Sequence, residues 1–221
     1  LKLIKKYFGE HKRSENDPPE MYTEEPKQEG PRRITVKRAG QTGVVGVGHK
    51  TPKGLHKDNY ALQLLGKILT DGKTSRFNKN IIDKGLATSV FMYDFPFKDN
   101  GMFISYIFLT PDTNHQTVED LVIDEYKSII NSGVTTEELC RAIAQTKAGV
   151  AFSRDGSYAV ASALNEAIAI GDWTYYTTFM ECIDIVSESK IQEAAEKYLI
   201  EDNSTTGWFV PKKVEATQDA V

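Results

Sequence analysis

The order of periodicities along this chain predicts an α+β fold: a mostly antiparallel sheet with helices packed on one face. Three observations carry that reading. Ile34 and Val36 alternate with Thr35 and Lys37, and after a Gly40-Gln41-Thr42-Gly43 turn comes Val44-Val45-Gly46-Val47-Gly48-His49, so the compact part opens with strands. From Val118 onward the apolar residues recur almost entirely at helical spacing. One more strand-like run closes the series at 205–210, after the helices.

Taken in order, Leu3, Ile4, Tyr7 and Phe8 keep helical spacing and Gly9 stands where a C-terminal cap belongs. Residues 1–9 are therefore expected to be the last helix of a preceding domain, and the chain a piece of a longer protein. Residues 10–31 carry charges of both signs and are broken by Pro18, Pro19, Pro26 and Pro31, the composition of an extended linker. The compact domain is expected over 32–211. Its first strand holds Ile34 and Val36 on a buried side. A helix over 58–69 lines up Ala61, Leu64, Leu65, Ile68 and Leu69, and Asp71-Gly72 ends it. A second helix is expected over about 74–84, closed by Gly85. Strands at 86–95 and 102–109 then pair across Lys98-Asp99-Asn100-Gly101, residues suited to a turn with φ > 0.

Val118, Leu121, Val122, Tyr126, Ile129 and Ile130 form the next helical stripe, ended by Ser132-Gly133. Thr135-Thr136-Glu137-Glu138 has the form of a capping box, with Thr135 capping and Glu138 reaching back to the Thr135 amide. That helix carries Leu139, Ile143 and Val150. Arg154-Asp155-Gly156-Ser157 breaks the run, and 158–170 and 174–186 are helical again. Ser187 or Ser189 caps a helix holding Ile191, Ala194, Ala195, Tyr198 and Leu199. The final strand is expected to stop at Pro211, and 212–221 to be a disordered tail. The expected core is Ile34, Val45, Val47, Leu64, Leu65, Ile68, Ile81, Val90, Ile104, Ile107, Leu121, Ile129, Ile143 and Leu199.

A chain of 221 residues, 40% hydrophobic, is long enough for one sizeable core with an appendage. Its net charge of −4 and pI near 5.7 speak against a nucleic-acid partner, which calls for a concentrated basic face. No apolar run approaches the roughly 20 residues that cross a bilayer, so no membrane partner is expected. The start is too short and too charged for a signal peptide, and the compartment, cytoplasmic or periplasmic, is left open. Cys140 and Cys182 are too few for a disulfide framework and read as buried thiols.

The residue pattern offers no reaction centre. Zinc sites commonly use two histidines one helical turn apart, and His11, His49, His56 and His115 contain no such pair. His49 and His56 could approach across the Thr51-Pro52-Lys53-Gly54 loop, beside Asp58, but loop histidines ordinarily bond to backbone or water. Gly43, Gly46 and Gly48 stand in the order GxxGxG within a strand, which is not a dinucleotide fingerprint. They read as close-packing positions. Ser187-Glu188-Ser189-Lys190 has the spacing of a Ser–Lys pair but reads as a helix cap. Glu119, Asp120, Asp124 and Glu125 read as the wet face of a helix, and Trp173, Tyr175, Tyr176 and Phe179 as core and rim. No catalytic, cofactor-binding or metal residue is assigned.

Several short motifs, in order, resemble one family. Val45-Gly46-Val47-Gly48-His49-Lys50-Thr51-Pro52 is similar to a family strand ending in Thr-Pro, and Lys57-Asp58-Asn59-Tyr60-Ala61-Leu62-Gln63-Leu64-Leu65 to its Asp-initiated helix. Ile68-Leu69, Gly72 and Thr74-Ser75-Arg76-Phe77 resemble its SRL-type signature. Gly133-Val134-Thr135-Thr136-Glu137-Glu138-Leu139 and Ala195-Glu196-Lys197-Tyr198-Leu199 resemble two later ones. The chain is thus identified as similar to the non-catalytic α/β repeat of pitrilysin/insulinase-type zinc peptidases (M16, inverted HxxEH).

The resemblance implies a fold built of repeated domains whose two halves close around an unfolded peptide. Zinc would sit in an upstream HxxEH domain, where that motif's Glu activates water. None of those ligands is present here. In the closing half of the family, an Arg and a Tyr orient the peptide carbonyl. The nearest positions here hold Ile82 and Thr88, which implies the accessory repeat of the zinc-bearing half. The expected partners are the upstream HxxEH domain, a second half on the same chain or on a partner subunit, and an unfolded peptide. Alone, the chain is expected to be inactive. The rival implication is a non-enzymatic assembly scaffold with the same fold.

Overall fold

In the computed structural model, which describes residues 1–16 and 26–212, five strands share one sheet. They are β1 (Arg32–Ala39), β2 (Val44–Lys53), β3 (Ala87–Phe95), β4 (Asn100–Leu109) and β5 (Ser204–Lys212). Their spatial order is β1-β5-β2-β4-β3, parallel between β1 and β5 and antiparallel elsewhere. The helices are α1 (Lys2–Phe8), α2 (Asp58–Thr70), α3 (His115–Ser132), α4 (Thr136–Ser153), α5 (Ser157–Ile170), α6 (Thr174–Asp184) and α7 (Glu188–Tyr198). The expected α+β class, with helices on one face, is what forms. The expected tail falls almost wholly outside the described residues, as does the middle of the expected linker; Gln28, near the linker's end, is buried and its amide donates to the Ser204 carbonyl at 2.6 Å.

Strand alternation decides which side chains meet the helices. Val45 and Val47 of β2 and Phe103 and Ile107 of β4 point to the helix layer and are closed to solvent. There they join Leu62, Leu65 and Leu69 of α2, Val122 and Ile129 of α3, and Ile191 and Ala195 of α7 in one cluster. At about 25 cal/mol per Å² of apolar area removed from water, this cluster is the main favourable term of the fold.

Side-chain caps then place the helices. The Asn114 side chain accepts from the amides of Gln116 and Thr117 at the start of α3. The capping box at Thr135 forms in both directions: the Glu138 amide donates to the Thr135 hydroxyl, and the Thr135 amide donates to Glu138 at 2.9 Å. Of the two candidate serines, Ser187 caps α7.

Four expectations need correction. Ile34 is 57% exposed, and the whole of β1 is open to solvent. β1 is an edge strand whose polar side meets the helix rim: Arg33 on that side donates to Glu119 of α3 at 3.0 Å and lies 5.0 Å over the Trp208 ring. Its apolar side, Ile34 and Val36, is therefore left on the uncovered face. Of the other expected core residues, Val90, Ile104, Leu121 and Ile143 are half-buried.

The helix expected over about 74–84 is shortened to 76–82 and widens into a π-helix at Asn78–Ile82, where the Asp83 amide donates to the Asn78 carbonyl at 2.9 Å. Asn78 and Asn80 are weak helix formers, and the Asn80 side-chain amide donates to the Glu125 carboxylate. The wide turn still buries both Phe77 and Ile81 completely.

The β3–β4 hairpin forms, but no residue of its turn has positive φ. Gly101 is needed inside β4 instead, where a Cβ would come 2.3 Å from the Phe95 carbonyl oxygen and 2.7 Å from Thr51 Oγ1. Lastly, β5 runs through Pro211 to Lys212, because there only β1 still pairs with it and a residue lacking N–H breaks no bond to β2.

Candidate interaction face

The four histidines lie in separate surroundings. His49 is buried on the helix side of β2, edge-on to Tyr126 at 5.4 Å, with Nδ1 unpartnered, and burial pushes its pKa down to about 4. His56 Nδ1 accepts from the Asp58 amide at 3.2 Å. His115 Nε2 meets the Phe209 carbonyl at 2.9 Å, and His11 is exposed. Among the described residues, no group of three or more His, Cys, Asp or Glu is placed to hold a metal ion. Cys140 is exposed on the outer side of α4, not buried as its apolar neighbours suggested, and Cys182 is half-buried.

The acidic cluster on α3 is also not wholly wet. Glu119 is buried, accepting from Arg33 and from the Trp208 indole at 2.8 Å. Glu125 faces Arg76 at 3.8 Å.

The short motifs acquire physical roles as clamps. Arg76 forks onto Glu138, Nε to Oε1 at 2.7 Å and Nη2 to Oε2 at 2.9 Å, and also reaches the Gly133 carbonyl at 3.2 Å. Burial alone would raise the Glu138 pKa. The bonds from Arg76 and Thr135, together with the guanidinium charge, outweigh it and hold that carboxyl at about 2. Asp58, at the start of α2, accepts from Tyr198 Oη at 2.8 Å and Lys197 Nζ at 3.0 Å, at the end of α7. Residues 62, 139 and 140 positions apart in sequence are thereby joined. Ile82 is half-buried on the π-turn; Thr88 is exposed at a bulge between the Ala87 and Ser89 register positions, its hydroxyl donating to the Phe108 carbonyl at 3.2 Å.

What the helix layer leaves uncovered is the other face of the sheet. Along β3, the rings of Phe91, Tyr93 and Phe95 stack at 6.5 and 5.7 Å, and Phe97 continues the ladder at 6.0 Å. Phe108 and Tyr106 of β4 meet the ladder edge-on at 5.8 and 5.9 Å. Beside it runs a trough, because Gly46 of β2 pairs with Gly207 of β5 and Gly48 follows on the same side. The trough holds a cavity of about 620 Å³, walled by residues that include Val36, Met102, Ile104, Tyr106 and Phe209. Phe91, Tyr93 and Met102 are each 41–46% exposed. This face is open and largely apolar. The sequence signal was the i, i+2 spacing of four aromatics from Phe91 to Phe97, which reads as a strand without revealing which side is covered.

An α+β repeat with one helix-covered face and one open apolar face is the class of molecule that results. The chain belongs to the family described as the Peptidase M16 inactive domain, whose profile matches residues 1–146. It is 26% identical over 214 residues to the zinc protease PqqE of Helicobacter pylori, covering 96% of this chain and 48% of that protein. It is 25% identical over 162 residues to an uncharacterized zinc protease, YmxG, of Bacillus subtilis, covering 71% of this chain and 37% of that one. The crystal structure of a protease from Helicobacter pylori superposes with a TM-score of 0.88 at 26% identity, over 95% of this chain and 51% of the other. An inactive peptidase domain from Bordetella parapertussis shares the fold at a TM-score of 0.74 and 24% identity, covering 84% of this chain and 99% of that one. The chain thus spans about half the length, or less, of the curated relatives it matches.

Proposed function

We propose that this chain is the accessory repeat of a zinc metalloendopeptidase that hydrolyses unfolded peptides. It braces an HxxEH domain and walls the peptide chamber, and zinc belongs to that domain. In this reading, residues 1–9 end the catalytic domain, 10–31 link it to the accessory domain at 32–211, and 212–221 form a tail. The observation that carries the reading is the open apolar face of the sheet in a chain that belongs to the inactive-domain family and covers 48% of a zinc protease. A surface of that composition needs a partner, and a second domain of the same polypeptide is the most economical one.

The clamps support the same reading. The motifs that looked like a peptidase signature hold α2, α4 and α7 in register, which is what a bracing domain requires. In the full-length protein, an HxxEH on an upstream helix should accompany cleavage of a fluorogenic unfolded peptide. The isolated chain should cleave nothing and retain no stoichiometric zinc after dialysis, for want of converging deprotonated ligands. One tightly held zinc per isolated chain, lost on substituting His49 or His56, would overturn the assignment. A full-length protein lacking HxxEH would favour the scaffold.

Ile82 and Thr88 bear on which half this is. Installing Ile82→Arg together with Thr88→Tyr in the full-length enzyme should leave activity unchanged or lower it. Raised turnover with an intact fold would mean that this repeat faces the zinc.

A further inference from the structure

A second cavity, of about 730 Å³, lies on the helix side of the sheet between β3, α2, the end of α4, α5 and α6. That is within the size range of small-ligand pockets. Asp94 of β3 lines it, and both of its carboxylate oxygens are closed to water and without a hydrogen-bond partner. A buried carboxylate left unpaired is costly in its charged form. The cations nearby are engaged elsewhere: Lys67 binds Asp71 at 2.8 Å, and the Arg154 guanidinium lies over the Tyr176 ring at 5.1 Å. Tyr175 and Phe179 continue the aromatic wall, with Tyr175 Oη accepting from the Gln63 amide at 2.9 Å. One wall of the cavity thus already seats a guanidinium, while the carboxylate that could pair with one has both oxygens vacant.

We propose that this cavity is a binding site for a guanidinium group, with Asp94 as its bidentate counter-ion and Tyr175, Tyr176 and Phe179 as its aromatic walls. The fork of a guanidinium matches two empty oxygens of one carboxylate, and its planar face suits a tyrosine ring, whereas an ammonium satisfies only the charge. The site is independent of the open face and of the proposed peptidase role. The oxygens are screened in the empty cavity, so the ligand has to part the side chains covering them. The charged and titratable groups facing the cavity are Lys67 of α2, Asp71 just after it, Arg154 after α4, Glu166 of α5, and Tyr175 and Tyr176 of α6. Burial raises the Asp94 carboxyl to about 7, so a bound cation must ionise it, and affinity should rise with pH.

The guanidinium could belong to a free small molecule or to an arginine side chain in a peptide, and two probes separate these sources. Ethylguanidinium and a capped Ala-Arg-Ala tripeptide are titrated into the full chain by calorimetry at pH 6 and pH 8. Wild type should bind about tenfold more tightly at pH 8 than at pH 6, the ratio expected when only the ionised form binds. Asp94→Asn should lose at least tenfold in affinity at pH 8 together with the pH dependence, while its thermal unfolding shows that it folds. Tyr176→Ala should weaken binding several-fold, and n-butylammonium should bind less well than ethylguanidinium. Tighter binding of the tripeptide assigns the site to peptide arginine, and equal binding to a free guanidino compound. The proposal falls if wild type binds neither probe at millimolar concentration, or if Asp94→Asn binds them as well as wild type.

Discussion

Replacing Asp94 by Asn should raise the stability of the chain at pH 8 and leave it nearly unchanged at pH 4. Asp94 and His49 occupy one row of the sheet on either side of Phe103, since Asp94 pairs with Phe103 across β3–β4 and His49 pairs with it across β2–β4. Two strand spacings put them roughly 10 Å apart, both buried in their polar atoms. Burial lifts the Asp94 carboxyl from 3.8 to about 7 and lowers the His49 imidazole from 6.5 to about 4. Between pH 4 and 6.5 the folded chain holds a proton on Asp94 that the unfolded chain has lost. The unfolded chain holds one on His49 that the folded chain excludes. The two contributions to the pH slope are opposite in sign and cancel, so this pair leaves wild-type stability level over that interval.

Removing one partner exposes the other. Asn matches the protonated Asp94 in charge, so the variant should equal wild type near pH 4 and gain about 4 kcal/mol at pH 8. Its stability should climb by about 3 kcal/mol between pH 4 and 6.5, the contribution of His49 alone. Urea unfolding of both proteins at pH 4, 5.5, 6.5 and 8 reads this directly, because other titrations common to both cancel in the difference. Parallel curves, or a variant less stable than wild type at pH 8, would refute the reasoning.

Three further outcomes are expected. Arg76→Ala should cost about 3 kcal/mol in urea unfolding, because it strands the partly buried Glu138 carboxylate and the Gly133 carbonyl; a loss below 0.5 kcal/mol would show the clamp to be ornamental. Leu65→Ala should cost roughly 2–5 kcal/mol and Ile143→Ala clearly less, as Leu65 is closed to solvent and Ile143 half-buried; equal costs would contradict the packing described. Gly101→Ala should destabilise by about 1–3 kcal/mol or more, since its Cβ would press against the Phe95 carbonyl, and an unchanged melting temperature would mean that β3 and β4 sit farther apart there.

The helices were legible because each carries a strong local signal: the stripe of α2 and the capping box of α4 depend on residues within one or two turns. The strands were legible as strands but not as faces. Ile34 and Val36 alternate as a half-buried strand should, yet whether their side is covered depends on β1 being at the edge and on Arg33 turning to Glu119, far away in sequence. The short helix after Gly72 departs from its expected length for a related reason. Its helical spacing is real, but Asn80 is recruited by Glu125 of another helix. Within the motif Thr74-Ser75-Arg76-Phe77, sequence shows an arginine, and only the fold shows that its partner is the capping-box glutamate 62 residues later. Asp94 stands out in the sequence as well: aspartate is depleted in strand interiors, and this one sits in an otherwise aromatic run.

The position of β5 also constrains how the molecule can be made. The last strand lies between the first two, parallel to one and antiparallel to the other, so β1 and β2 never touch as partners. On a ribosome, the β3–β4 hairpin can form and β4 can then pair with β2, with α2 against them, while β1 waits for Ser204–Lys212 to emerge. Arg32 and Thr205 become neighbours only after the intervening chain has been synthesised. Such a late, long-range insertion makes for slow closure and leaves two strand edges unpaired in the nascent chain. A truncation just before Ser204 would therefore yield no domain with a clipped end, but a three-stranded fragment with two bare edges and a detached β1.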